Sequence, residues 1–247
     1  MIKEKFEIEV LILAVLLVSM VFVPAVGAKT VDSKTEEVGP FSGIEMPEEL
    51  KKNVVQVDPY TFVFKGEIND KEALYAAWDD YEEKVLSKNQ VSVTQSNNVD
   101  GNAVTTTTST SGTDTARRNL LGSYIKGDTY FHGTMETGLT IPVTFTGDGY
   151  TKGRWYGTGN PNKIKLGSDV KITGVSVSIS YPSGAGFSLS GDTVTYSGEW
   201  NNVAGAQHYY DNLKATSWVS ITDQDQNDAE TFRFGTSDYT LYTHVDL

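Results

Sequence analysis

Phe187-Ser188-Leu189-Ser190-Gly191-Asp192-Thr193-Val194-Thr195-Tyr196 decides the fold class. Apolar residues alternate with Ser and Thr on both sides of Gly191-Asp192, a dipeptide suited to a tight turn. Two short strands then fold back on each other, with Phe187 and Leu189 across from Val194 and Tyr196. Working outward, the pattern recurs. Leu139, Ile141, Val143 and Phe145 share one face of a strand, and so do Val175, Val177, Ile179 and Tyr181. Phe232 and Phe234 precede Tyr239, Leu241 and Val245. Turn signals such as Gly147-Asp148-Gly149, Gly167-Ser168-Asp169 and Asn201-Asn202 punctuate these runs. Many short strands between such turns predict an antiparallel β-sandwich, or a barrel-like variant, over residues 117–247.

Upstream, residues 29–89 read as a small α+β segment. Pro47 opens a single helical turn, residues 54–57 and 60–64 are strand candidates, and residues 70–86 form the one long helix. Asn69 is placed to cap that helix, with Glu72 in capping-box position. Leu74, Ala77, Trp78, Tyr81 and Val85 make its apolar face, and Asp79, Asp80, Glu82 and Glu83 are expected to face water. Residues 90–116, rich in Ser, Thr and Asn, read as an exposed linker or, alternatively, a polar hairpin turning at Asp100-Gly101. Arg117-Arg118 opens the β domain, or else marks a processing point that would make the preceding segment a pro-region.

Residues 1–28 read as an export signal. An almost wholly apolar run from Val10 to Val23 precedes Pro24 and the small-residue site Ala25-Val26-Gly27-Ala28. The run is short of the about 20 residues that a spanning helix needs, which favours cleavage over anchoring. Lys3 and Lys5 are offset by Glu4, Glu7 and Glu9, so the start is not clearly basic. The expected location is secreted or cell-surface, with no stable transmembrane domain after cleavage.

The chain carries a net charge of −12, and loss of residues 1–28, which hold two Lys and three acidic residues, leaves −11. Such a surface repels nucleic acid and anionic lipid. Cysteine is absent, which removes disulfides, thiol nucleophiles and thiolate metal sites together. An exported fold of this kind must rest on core packing, and aromatics at 11% supply large buried areas.

Three constellations invite chemistry. Asp223, Asp225, Asn227 and Asp228 place hard oxygen ligands at nearly alternate positions of an acidic loop, suggesting calcium. The loop departs from an EF-hand, with Asp228 where Gly is required and Phe234 where a bidentate Glu is required. Its rival is a solvated turn. Arg154, Trp155 and Tyr156 form an aromatic stretch suited to a glycan or another surface protein, although one of two neighbours on a strand faces inward. Trp200, Tyr209, Tyr210 and Trp218 raise the same question. Glu136 and Glu199 are the only acids to nominate as a glycosidase pair. His132, His208 and His244 show no metal-ligand spacing, and no serine sits on a nucleophile elbow.

The expected function is therefore a non-catalytic binding or interaction protein of the cell surface or extracellular space. One alternative is a secreted effector or pore-forming toxin held inactive by its N-terminal segment, with residues 175–180 alternating as a membrane hairpin does. A second is an extracellular polysaccharide hydrolase.

Overall fold

The computed structural model describes residues 39–89, 105–120, 122–181 and 186–247. The export signal, the start of the α+β segment and the Asp100-Gly101 turn lie outside them. Two antiparallel sheets pack face to face. The first holds β1 (Val54–Asp58), β2 (Thr61–Lys65), β3 (Thr105–Leu120), β4 (Ser123–Gly138), β5 (Val143–Trp155), β7 (Ser178–Ser180) and β10 (Val203–Ser217). Its order is β1-β2-β10-β5-β4-β3, with β7 also pairing β10. The second holds β6 (Lys163–Val175), β8 (Phe187–Ser190), β9 (Thr193–Asn201), β11 (Ser220–Phe234) and β12 (Ser237–Asp246), ordered β12-β11-β6-β9-β8.

The hairpin at Gly191-Asp192 pairs Phe187 with Tyr196 and Leu189 with Val194, the register its alternation demands. Elsewhere long-range pairing overrides local reading. Thr105–Leu120 is a strand paired along its whole length with β4, so that part of the Thr-rich stretch is not a linker. Threonine suits a half-exposed strand. Arg117 and Arg118 lie within this strand rather than ahead of it. β2 pairs with β10, so residues 54–65 belong to the same sheet as the β region downstream.

A single-turn helix, α1 (Glu48–Lys51), precedes the long α2 (Lys71–Asn89). The cap is Asp70, whose carboxylate accepts the Ala73 N–H at 2.9 Å, in place of the expected Asn69. α2 covers the outer face of the first sheet, where Tyr75, Trp78 and Val85 join Phe41, Phe62, Phe64 and Tyr209 in one cluster. Between the sheets lie two further apolar clusters. One centres on Ile125, Trp155, Ile164, Leu166 and Phe232, the other on Phe131, Phe145, Val170, Ile172 and Val245.

Candidate functional site

The acidic stretch expected as a calcium loop is part of β11, and strand geometry divides it. Asp223 and Asn227 face solvent and Asp225 is half-exposed, whereas Asp228 points between the sheets. Alternation places the four nominated ligands on opposite faces, so they cannot surround one ion. Asp225 instead accepts from Asn227 Nδ2 at 2.6 Å. No group of three or more metal-ligating side chains occurs among the described residues.

The aromatic stretch is likewise not an exposed loop. Trp155 is buried and packs edge-on to Phe234 at 4.8 Å between ring centroids. Arg154 is buried under α2, and Tyr156 is half-buried, stacked on Tyr124 at 4.3 Å. Glu136 and Glu199 lie in different sheets, both exposed, and Glu199 is paired with Lys163 at 2.7 Å. Residues 175–180 are not one strand. β6 ends at Val175, Ser176 takes φ 54°, and β7 pairs with the other sheet.

Beneath α2 sits an ionic cluster that the helical period misassigned. Glu82 lies on the buried face and accepts from Lys152 Nζ at 2.5 Å. Arg154 forks onto Asp79 at 2.8 and 2.5 Å and also donates to Gln207 at 2.5 Å. Burial works against the charge on Asp79, but the Arg154 guanidinium overrides it and holds the carboxyl below its usual range. Burial lowers the Lys152 ammonium despite the Glu82 charge beside it. These pairs fix the helix to the sheet through two cations contributed by β5.

A polar layer separates the two inter-sheet clusters. Asp228 accepts from Thr129 at 2.6 Å and Gln226 at 2.8 Å, and Glu230 accepts from Thr151 and Thr243 at 3.3 Å. Tyr210 donates to Gln226 at 2.5 Å. Gly127 faces Glu230 so closely that a Cβ there would stand 2.4 Å from Oε2. Burial pushes Asp228 up to about 6, and burial together with the Asp228 charge raises Glu230 well above the carboxylate range. Nearby, His208 stacks on Tyr196 at 3.4 Å and shares a hydrogen bond with Thr61 at 2.8 Å. Burial lowers its pKa to about 3, so this ring is neutral.

One end of the sandwich differs from the rest. Leu139 is 95% exposed, Trp218 77%, Val219 62% and Val175 52%, and Ile141, two residues after Leu139, is also exposed. Register brings their turns to one end. Val143 pairs with Ser217, so the β4–β5 and β10–β11 turns leave adjacent strands together. Ser220 pairs with Val175, which brings the end of β6 to the same place. Ser217 Oγ donates to the Val175 carbonyl at 2.5 Å and accepts from the Val219 and Ser220 N–H groups, pinning the Trp218 turn. No family model, curated protein or solved structure matches this chain.

The three turns that meet there carry no charge. No charged residue lies between Glu136 and Asp148, between Lys171 and Asp192, or between Lys214 and Asp223. Each of these runs contains one of the three elements that meet there. Large apolar side chains clustered on a surface mark a contact region, whereas isolated ones such as Val57, Leu189 and Tyr242, on β1, β8 and β12, are ordinary. The alternation of Leu139, Ile141, Val143 and Phe145 predicts one buried face. In fact β4 stops at Gly138 and β5 starts at Val143, leaving Leu139 and Ile141 in a turn. The signal was present: Gly138 and Pro142 bracket that turn, and Pro142 cannot donate to a ladder.

Proposed function

We propose that this chain is an exported interaction protein of the cell surface or extracellular space, and that its contact surface is the apolar end formed by three uncharged turns. The observation that carries the reading is the meeting of Leu139, Val175, Trp218 and Val219 on turns that contain no charge. Exposing such groups to water opposes solubility, so their clustering calls for a partner that covers them. Export rests on residues 1–28. The remaining surface is acidic, which keeps the chain soluble and confines non-polar contact to one end. Long strands flank the β4–β5 and β10–β11 turns and the long β6 ends beside them, so the contact groups stand on a rigid support.

The test is sedimentation with the envelope of the cells that make the protein. Wild type is expected in the envelope pellet, and a Leu139→Ser/Trp218→Ser/Val219→Ser variant of unchanged melting temperature is expected in the supernatant. Equal retention of both forms, or no retention of either, would remove the reading.

A further inference from the structure

We infer that the partner covered by this end is the interfacial region of a lipid bilayer with neutral headgroups; the inference rests on the contact surface proposed above. Three features favour a fluid, uncharged partner. The groups are convex knobs: Leu139 lies in the β4–β5 turn, and Trp218 and Val219 form the whole link between β10 and β11. A folded protein, or a second copy of this chain, needs a hollow to receive such knobs. The main hollows among the described residues are not lined by Leu139, Val175, Trp218 or Val219, so this end offers no hollow to the same end of a second copy. Lipid needs no preformed hollow, because it closes around whatever enters it.

The second feature is composition. Charged side chains resist entry into the membrane, and the three runs that meet at this end have none. Instead Thr140, Ser176 and Ser178 set exposed hydroxyls next to the apolar groups along the chain, where they can bond to headgroup oxygens. Trp218 is the residue type that settles at headgroup level, with an apolar ring and an N–H donor. The third feature is charge. The net −12 of the whole chain disfavours an anionic leaflet, which leaves neutral headgroups. Insertion is shallow and uses turns alone. No described helix is long and apolar enough to cross a membrane.

Flotation of the full chain with phosphatidylcholine vesicles tests the inference. Wild type is expected to float with the vesicles, its tryptophan emission shifting to shorter wavelength. Trp78 and Trp155 are already buried and Trp200 pairs with Ile164 near the start of β6, away from this end, so Trp218 carries that change. The Leu139→Ser/Trp218→Ser/Val219→Ser variant shares every other residue, including the N-terminal segment. Its partitioning should fall at least about tenfold, because three apolar side chains no longer leave water. Adding anionic lipid should weaken wild-type binding, and added salt should reduce that difference. Binding that requires anionic lipid, or equal flotation of wild type and variant, overturns the inference. So does concentration-dependent dimerisation lost in the variant, which would make a second copy the occupant. If vesicles fail but the envelope retains the protein until proteases strip it, the lipid inference fails while the contact surface stands. Failure on both vesicles and envelope overturns both.

Discussion

Asp228→Asn should make the protein more stable at neutral pH while leaving its stability in acid nearly unchanged. Asp228 is buried between the sheets, and burial raises its carboxyl from its ordinary value of 3.8 to about 6. The folded state therefore favours the protonated form. Its contribution is complete below the unfolded pKa and is lost as pH rises through the folded one. A gap of about two pH units at about 1.4 kcal/mol per unit amounts to roughly 3 kcal/mol. Asparagine keeps the shape, and its oxygen can still accept from Thr129 and Gln226. Its amide stands near Ser168, the residue opposite in register. The variant carries no proton to lose. Thermal unfolding followed by near-ultraviolet circular dichroism at about pH 4 and about pH 7.5 reads the difference. The two proteins should melt together in acid, and near neutrality the variant should melt about 6–12 °C higher. Asp79, held down by Arg154, contributes in the opposite sense but equally in both proteins, whereas Glu230, raised in part by the Asp228 charge, is relieved in the variant and adds to the gap near neutrality. A gap between variant and wild type that does not change with pH would refute the reasoning.

Three further outcomes follow from the packing. Lys152→Met leaves Glu82 buried without its cation and should cost about 3–5 kcal/mol in urea unfolding. Adding Glu82→Leu should restore most of it, since neither charge then remains. Trp155→Ala empties a site against Phe234 and should destabilise by about 3–5 kcal/mol, where an exposed ligand-binding tryptophan would leave stability unchanged. Gly127→Ala drives a methyl into the Glu230 carboxyl and should lower the urea midpoint, at a cost of about 1–3 kcal/mol.

The hairpin at Gly191-Asp192 was legible in sequence because turn chemistry and alternation are both local and agree. β11 was not. Its inward row runs Gln224, Gln226, Asp228, Glu230 and Phe232, and polar groups in that row are tolerated only because Thr129, Thr151 and Thr243 arrive from three other strands. Read alone, the same residues make an acidic loop. Glu82 failed for a related reason. The helical period locates a stripe, but the cation that lets an acid enter the stripe lies 70 residues away on β5. Trp155 and Trp218 show the limit for contact residues. Alternation says that one of two strand neighbours faces inward, not which one, and only register brings Trp218 beside the ends of β4, β5 and β6. The absence of charge around those three turns could be read directly from the sequence; their convergence could not.

The central claim is that Trp218 and its neighbours enter a partner's apolar phase. Phosphatidylcholine carrying bromine at chosen depths along its acyl chains measures this directly, because bromine quenches tryptophan only at close contact. The account predicts quenching that is strongest for bromine near the headgroup end of the chain and is lost in Trp218→Phe. Tryptophan emission unchanged at saturating lipid, or quenching that persists in Trp218→Phe, would contradict it.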